Sequence, residues 1–353
     1  MGAALRGVRV GGPLGSRFPF PGLPSGWYVV ATADEVRRGQ IVSRHYFDRE
    51  LIIYRGHDGV VRISDAFCPH LGGHLGRLGK VEGNILRCGF HGFQYDGQGR
   101  CVATPDGGPP PARAKLRLWE AREQNGLILT WFDAAGEAYD WEVPVFDDAG
   151  WNKIRWRRFD IPTHPQETTE NSVDFAHFTQ VHGFVDGSIT TPIQVRGPLL
   201  TTAYRAYRPL PMPALPVWKV PVDYAVNVWG LGYSQVDVRV EPLRLDIRVW
   251  VLPVPRDDEH LDLIIGASTK KGLGPISTYA RRVAHKMVCK EVEEDLDIWT
   301  YKTFVEQPPL AKSDGPVAVY RRYVKQFYPQ SADALDQQTV EEAVARAAGQ
   351  ATP

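Results

Sequence analysis

Two cysteine–histidine pairs lie close together in the sequence and could bind a metal. Cys68 and His70 share one Pro/Gly-flanked loop, Cys88 and His91 share another, and 17 residues separate the two pairs. Zinc accepts two thiolates and two imidazoles, but such sites usually take both cysteines from one element and both histidines from another. A [2Fe-2S] cluster with unlike irons needs one thiolate and one imidazole from each loop. The spacing therefore favours the iron–sulfur cluster, with structural zinc as the alternative.

Neighbouring residues support these loops. Gly72, Gly73 and Gly76 would let backbone amides approach the sulfides, because glycine has no side chain in the way. His74 is a tempting extra ligand, but it falls outside both pairs and is not expected to bind the cluster.

A second group of possible metal ligands follows His164. His177 and His182 are five residues apart, so an ideal helix would turn them away from each other, and the helix must end or distort before Gly183 for both imidazoles to converge. Two histidines and one carboxylate form the facial triad of non-haem Fe(II) oxygenases, which leaves positions open for dioxygen and substrate. Taken alone, the two histidines would be more simply interpreted as buried core residues.

The acidic segment 290–299 offers the carboxylate. It belongs to a helix predicted from about 276 to 305, whose apolar stripe contains Val288, Val292 and Trp299. Asp295 falls in the middle of that stripe, where an unpaired carboxylate would be costly and coordination to a cation would offset the cost. We therefore expect Asp295 to be the third ligand, with Glu291 at the margin of the stripe as the reserve. The other acidic residues are predicted to lie on a solvated face: Glu293, Glu294 and Asp297.

Three further polar residues lie close to the predicted ligands. Asp174 is three residues before His177, on the same predicted helical face, and can accept a proton from its imidazole. Asn171 could be a surface amide or an amide beside the metal, and both alternatives stay open. His164 precedes Pro165 and could be simply a turn residue.

Composition excludes several other classes of protein. Lys and Arg number 41 and Asp and Glu number 41, whereas proteins that bind nucleic acids or anionic membranes normally have a basic excess. No segment is predicted to be a secretory signal or a membrane span. Four cysteines are too few for a disulfide scaffold, so we expect a cytoplasmic protein in which Cys101 and Cys289 are small buried side chains.

The 353 residues are predicted to form an arm and two domains. Residues 1–24 are a Gly/Pro-rich arm. Residues 25–140 contain short strand-like runs separated by turns at Asp58-Gly59 and Asp96-Gly97, which predicts an all-β domain. Residues 141–353 form the second domain.

The second domain is predicted to be α+β, an antiparallel sheet covered by helices. Alternating runs such as "RLDIRVWVLPV" and "LDLIIGAS" predict the strands. Helices are predicted around 166–180 and from about 276 to 305. Thr339 and Glu342 form a capping box that predicts a short terminal helix.

The two motifs together resemble the terminal oxygenase α subunit of the Rieske non-haem iron oxygenases, over residues 25 to about 305. The resemblance lies in Cys68-Pro69-His70, Cys88-Gly89-Phe90-His91 and the D-x-x-H-x-x-x-x-H spacing of Asp174, His177 and His182. It implies an N-terminal Rieske domain and a helix-grip-like catalytic domain that binds mononuclear Fe(2+).

The same resemblance implies partners. It implies a homotrimer in which the cluster of one chain supplies electrons to the iron of the next, and in which Asp174 links His177 to a Rieske histidine of a neighbouring subunit. Dioxygen is the oxidant, and electrons come from NAD(P)H through a separate flavin reductase, sometimes with a ferredoxin. The chain has no Gly-rich dinucleotide or flavin motif, so the reductase is expected to be another protein.

Within the family, the "EN-x-x-D-x-x-H-F" pattern of residues 170–178 and the segment "EEDLDIW" are more similar to 3-ketosteroid 9α-hydroxylases and cholesterol 7-desaturases. That resemblance implies hydroxylation (a monooxygenase) or desaturation of a bulky hydrophobic substrate, steroid-like or a polycyclic natural product. Residues 209–229 could line such a pocket, or could be a loop followed by a core strand. The alternatives are an aromatic-ring dioxygenase α subunit and a Rieske electron-transfer protein without a working catalytic iron.

Overall fold

The computed structural model describes residues 16–210, 218–271 and 276–329. The predicted helix at Thr339 and Glu342 and most of the predicted arm lie outside the described residues. The strands, in chain order, are β1 (Gly26–Thr32), β2 (Ile41–Tyr46), β3 (Arg49–Arg55), β4 (Val61–Asp65), β5 (Lys80–Glu82), β6 (Ile85–Arg87), β7 (Gln94–Tyr95), β8 (Cys101–Ala103), β9 (Leu118–Trp119), β10 (Arg122–Gln124), β11 (Leu127–Phe132), β12 (Arg155–Ile161), β13 (Val185–Arg196), β14 (Leu199–Leu210), β15 (Trp218–Trp229), β16 (Tyr233–Val240), β17 (Leu245–Pro255) and β18 (Leu261–Thr269). The α-helices are α1 (Leu75–Leu78), α2 (Pro165–Glu170), α3 (Ala176–Gln180), α4 (Ile276–Tyr301) and α5 (Val317–Tyr323).

The N-terminal part is built from three small antiparallel sheets. Their strand orders are β1-β11-β10, β2-β3-β4-β9 and β5-β6-β7-β8. The turn predicted at Asp58-Gly59 joins β3 to β4, and Gly59 has a φ of 84°, which glycine adopts without strain. The prediction of a mostly β N-terminal domain is confirmed.

A seven-stranded antiparallel sheet dominates the C-terminal part, in the order β12-β18-β17-β16-β15-β14-β13. Successive residues of a strand point to opposite sides of a sheet, and every residue of β18 is buried, so this strand is covered on both faces. On β18, Leu263 and Ile265 pack against α4, whereas Ile264 packs against the N-terminal part. Cys289 of α4 is buried in the same contact, as predicted. The antiparallel sheet with a covering helix is therefore confirmed.

The two parts of the chain share one hydrophobic core. Side chains of β1 pack against buried residues of the large sheet, which are Tyr233, Trp250, Leu252, Val254 and Ile264. Trp27 Nε1 donates to the carbonyl of Trp141 at 2.7 Å, so the chain near the predicted boundary at residues 140 and 141 packs on the first domain. The boundary itself stays a prediction.

The prediction of a single helix around residues 166–180 is wrong in one respect, because the structure divides this segment into α2 and α3. Backbone N–H groups of Ser172 and Val173 bond to carbonyls three residues earlier, which tightens the chain into turns. The break lets Val173 become fully buried beside the half-buried Phe175. The prediction that the helix ends before Gly183 is confirmed, since α3 ends at Gln180 and Gly183 has a φ of 68°.

His164 is more than the turn residue that its position before Pro165 suggested. It is buried and caps α2, with its Nδ1 accepting the Gln166 N–H at 3.2 Å. Its ring lies 4.5 Å from the Phe20 ring. Burial lowers the pKa of His164 to about 3, so this imidazole is neutral in the folded protein.

The long α4 begins where predicted and ends at Tyr301, slightly earlier than expected. Across the described part of the chain, no helix combines the length and apolar character that a bilayer crossing requires.

Candidate active site

The two cysteine–histidine loops have the same backbone geometry. In each loop the cysteine N–H donates to the carbonyl five residues later, Cys68 at 2.9 Å and Cys88 at 2.8 Å. The N–H of the residue four positions after each cysteine donates to the cysteine carbonyl. That residue is a glycine with positive φ in both loops, 72° at Gly72 and 76° at Gly92. Any other residue would be strained in that conformation. The two loops therefore hold their cysteine and histidine side chains on the same backbone conformation.

The loops place sulfur inside and imidazole outside. Cys68 and Cys88 are buried, whereas His70 and His91 are half-buried with ring centroids 4.9 Å apart. The Nδ1 atom of His91 is buried and has no hydrogen-bond partner among the described residues. A Cβ on Gly73 would lie 3.2 Å from the Cys88 sulfur, so this position favours glycine. An imidazole nitrogen without a partner beside two thiols fits a [2Fe-2S] cluster.

The thiol of Cys68 has a neighbour that the sequence did not reveal. The Tyr95 hydroxyl lies 3.0 Å from the Cys68 sulfur. Burial raises the pKa of Tyr95 and also that of Cys68. His74 caps α1, with its Nδ1 accepting the Gly76 N–H at 3.1 Å, which gives it a structural role outside the two loops.

The structure brings His177, His182 and Asp295 together. Their potential ligand atoms all lie within 4.8 Å of one another. His177 is on α3, His182 follows that helix, and Asp295 is on α4. Asp295 is 6% exposed, and its Oδ1 has no hydrogen-bond partner among the described residues. A buried carboxylate oxygen directed at two imidazoles fits a divalent metal ion such as Fe(2+).

Two residues that the sequence left open or secondary lie next to this group. Asn171 Nδ2 donates to Asp295 Oδ2 at 3.2 Å, so the amide lies beside the ligand group and not on the surface. His177 Nδ1 bonds to the backbone carbonyl of Asp174, while the Asp174 carboxylate is 3.7 Å away and 34% exposed. Burial is the main cause that lowers the pKa of His177.

The prediction that Glu294 lies on a solvated face is wrong. Glu294 is half-buried, and its Oε2 accepts from His182 Nδ1 at 3.0 Å, while Lys290 Nζ lies 3.1 Å from Oε1. The loop after α3 places His182 over the edge of α4, which the angular position of Glu294 on the helix alone could not show. Lys290, four residues earlier, indicated only a surface partner for this carboxylate, and no sequence signal pointed to His182.

These contacts shift the pKa values of the group. Burial would lower the pKa of His182, but the neighbouring carboxylates of Asp295 and Glu294 outweigh burial and raise it. The hydrogen bond from His182 lowers the pKa of Glu294. Glu291, the reserve ligand, is paired with Arg208 at 2.9 Å and lies outside the group of three. Glu293 and Asp297 are exposed, as predicted.

Aromatic side chains lie beside the histidines. The Phe178 ring centroid is 4.4 Å from that of His177 and 5.1 Å from that of Tyr204. Tyr204 stacks on Tyr224 at 4.6 Å. Burial raises the pKa of each tyrosine well above the usual value for a tyrosine hydroxyl, so both side chains stay neutral. These rings form an apolar aromatic group next to the predicted metal ligands.

Residues 209–229 are only partly described, because residues 211–217 lie outside the described ranges. From Trp218 onward the segment is β15, which supplies Tyr224 to the aromatic group and buries Val222 and Val226. Residues 218–229 thus form a strand that contributes both to the core and, through Tyr224, to the aromatic group, which is compatible with either alternative.

Curated relatives match most of the chain. A cholesterol 7-desaturase of Ciona intestinalis is 28% identical over 343 residues, which cover 89% of this chain and 71% of that protein. A 3-ketosteroid-9-alpha-monooxygenase, oxygenase component, of Rhodococcus rhodochrous is 28% identical over 335 residues, which cover 89% of this chain and 82% of that protein.

Solved structures share the fold. Dicamba monooxygenase bound to dicamba matches with a TM-score of 0.68 and 19% identity, covering 88% of this chain and 98% of that one. NdmA of Pseudomonas putida CBB5 with caffeine matches with a TM-score of 0.70 and 20% identity, covering 91% and 94%. At these identities the likeness shows the fold alone.

Family models assign both parts of the chain. Residues 26–119 match the Rieske [2Fe-2S] domain, and residues 130–328 match the 3-ketosteroid 9alpha-hydroxylase C-terminal domain. Because the second match alone covers more than half of the sequence, the chain belongs to the 3-ketosteroid 9alpha-hydroxylase family of Rieske oxygenases.

Proposed function

We propose that this chain is an oxygenase component that uses dioxygen to hydroxylate or desaturate a bulky, hydrophobic, steroid-like substrate. The observation that carries the proposal is the convergence of His177, His182 and Asp295 within 4.8 Å, in a chain that also has the two matched cysteine–histidine loops. Relatives named as a steroid monooxygenase component and as cholesterol 7-desaturases support this substrate class.

The proposed metal ligands divide between two groups. Cys68, His70, Cys88 and His91 would hold a [2Fe-2S] cluster, and His177, His182 and Asp295 would hold one Fe(2+). When bound, these groups supply one-electron transfer and the activation of dioxygen for attack on a C–H bond.

The side chains of this protein position the proposed metal ligands and exclude water from them. Asn171 holds one oxygen of Asp295 and leaves the other directed at the imidazoles. Burial keeps His182 and Asp295 away from solvent, so their charges are not screened by water. The ring of Phe178 and the neutral Tyr204 and Tyr224 favour an apolar substrate over a charged one.

The partners follow from the same proposal. Electrons would come from NAD(P)H through a separate flavin reductase, with or without a ferredoxin, since the sequence contains no dinucleotide motif. We also propose a cytoplasmic homotrimer in which the Asp174 carboxylate connects His177 to a Rieske histidine of a neighbouring subunit. That carboxylate is 34% exposed, and this partial access to solvent supports the role.

Metal content and turnover test the proposal. We expect three irons per chain after anaerobic purification, and oxygen uptake that depends on a 3-ketosteroid or sterol when a surrogate reductase is supplied. Mass spectrometry separates the products, because hydroxylation adds one oxygen and desaturation removes two hydrogens. His177→Ala should keep the cluster's visible absorption while losing the third iron and turnover, and Cys68→Ala should lose the absorption.

Other metal contents would reject the proposal. Two irons per chain after loading with Fe(2+), with no substrate-dependent oxygen uptake, would identify an electron-transfer protein without a catalytic iron. A colourless, zinc-containing chain would identify a scaffold. Dihydroxylation of a simple arene in preference to steroids would favour the aromatic-ring dioxygenase alternative.

A further inference from the structure

The imidazole of His182 lies between two consecutive carboxylates of α4. Its side chain is only 2% exposed. Nδ1 is 3.0 Å from Glu294 Oε2, and Nε2 is 3.5 Å from Asp295 Oδ1. One ring nitrogen can therefore donate its proton to Glu294, which leaves the lone pair of the other directed at Asp295 and the predicted iron site.

The two histidines of the group have different partners. His177 Nδ1 bonds to a backbone carbonyl, that of Asp174, whereas His182 Nδ1 bonds to a carboxylate. A carboxylate partner fixes the tautomer and the ring orientation more strongly than a neutral oxygen does, and it increases the basicity of the ligand nitrogen. His182 is thus the more strongly held of the two imidazoles.

Glu294 is itself held in place. Lys290, one helical turn earlier, lies 3.1 Å from Glu294 Oε1, so the two carboxylate oxygens have separate partners. Other carboxylates of α4 point elsewhere, Glu293 to Arg157 at 2.6 Å and Glu291 to Arg208 at 2.9 Å. Among the described residues, Glu294 alone gives His182 Nδ1 a hydrogen-bond acceptor.

We infer that Glu294 is a positioning residue for the mononuclear metal site, which holds His182 in the tautomer and orientation that present Nε2 to the metal. The inference rests on the proposed function, because it requires His182 to be a metal ligand. Glu294 does not touch the metal or substrate in this role and acts through His182.

Metal binding by the full-length chain with its cluster in place tests the inference. The probe is Co(II), added after removal of the mononuclear metal and followed by its dissociation constant and its paramagnetic resonance spectrum, with the cluster oxidised and therefore silent. Glu294→Ala should weaken Co(II) binding by roughly 10- to 100-fold and alter the spectrum. Glu294→Gln should stay within about threefold of the unmodified chain, because the amide oxygen can still accept the Nδ1 proton.

Asp297→Ala is the matched control, since it removes an exposed carboxylate from the same helix and should leave the Co(II) affinity and spectrum unchanged. The cluster's absorption and the thermal midpoint show whether each variant is folded. If Glu294→Ala binds Co(II) as the unmodified chain does, or if Glu294→Gln is as weak as Glu294→Ala, the positioning role is wrong. If the unmodified chain binds no Co(II) that His177→Ala removes, the proposed function fails instead.

Discussion

The Tyr95 hydroxyl lies 3.0 Å from the Cys68 sulfur, inside the hydrophobic core that contains Cys68 and Cys88. Because burial raises the pKa of Tyr95, the hydroxyl keeps its proton and can donate it to a ligand thiolate. Such a bond stabilises the reduced cluster more than the oxidised one, since the reduced cluster carries more negative charge. A single residue outside the two motifs is thus expected to adjust the reduction potential.

Tyr95→Phe should lower the reduction potential of the cluster by roughly 30–100 mV, which corresponds to the loss of part of one charge-assisted hydrogen bond. A redox titration followed by the paramagnetic signal of the reduced cluster measures the change. Tyr54→Phe is the matched control, because Tyr54 is buried in the same core and its hydroxyl has no hydrogen-bond partner among the described residues. Equal potentials for the two variants would contradict the role of Tyr95.

Residue types and spacing predicted the three residues that the structure brings together, His177, His182 and Asp295, but not their neighbours. Asp295 could be chosen because it interrupts an apolar stripe, which is a property of one helix alone. Glu294 could not, because its partner His182 comes from another element. Tyr95 was missed for the same reason, since its contact with Cys68 depends on how β7 folds over the first loop.

At the scale of elements, the break between α2 and α3 determines how His177 is held. Residues 171–175 leave the helix, which frees the Asp174 carbonyl to accept from His177 Nδ1. The carboxylate of Asp174 is 34% exposed, and its Oδ1 accepts the His177 backbone N–H at 3.4 Å. Sequence periodicity predicted one continuous helix here, because burial of Val173 is a tertiary effect that propensity does not include.

Asp174→Ala should keep the mononuclear iron and slow turnover by roughly 10- to 100-fold, because the backbone carbonyl still holds His177 while the proposed link between subunits is lost. Stopped-flow oxidation of the reduced cluster in the presence of substrate and dioxygen measures electron delivery directly. Asp297→Ala serves as the control for loss of an exposed carboxylate. Normal turnover would exclude the link, and loss of the iron would mean that the carboxylate itself supports His177.

Strands were easier to predict than the helices near the site. Short β-rich runs with Gly-containing turns define β3 and β4 locally, and the Asp58-Gly59 turn joins them as expected. The inner strands β17 and β18 are apolar on both faces. Their sequence therefore showed that they are strands but did not show which residues face α4.

At the scale of the whole molecule, a buried polar network accompanies the shared core. Asp262 of the large sheet is 4% exposed, accepts from the Tyr46 hydroxyl at 2.7 Å, and is paired with Arg158 at 2.9 Å and Arg256 at 2.5 Å. Removing the carboxylate would leave these groups without their buried anion, which is strongly destabilising.

Asp262→Ala should destabilise both parts together, by about 3–5 kcal/mol. Far-ultraviolet circular dichroism and the cluster's visible absorption should change in one coincident denaturant transition. Asp160→Ala, which removes an exposed partner of the same Arg256, should cost less than about 1 kcal/mol. Two separate transitions, one for each signal, would show that the parts fold independently.

Composition and pattern predict two domains but could not predict which residues of the two parts of the chain contact each other. Contacts such as that between Trp27 and Trp141, or between Tyr46 and Asp262, join residues more than 100 positions apart. No local pattern carries that information. Family matches place the two modules on either side of residues 119–130.

The shared core also limits how this enzyme could be rebuilt. A chimera that exchanged the electron-transfer module at residue 140 would leave Trp250, Leu252 and Ile264 facing a foreign surface. A successful chimera should therefore keep the aromatic and aliphatic residues of β1 from this chain, or replace these residues together with the residues of the large sheet that they contact.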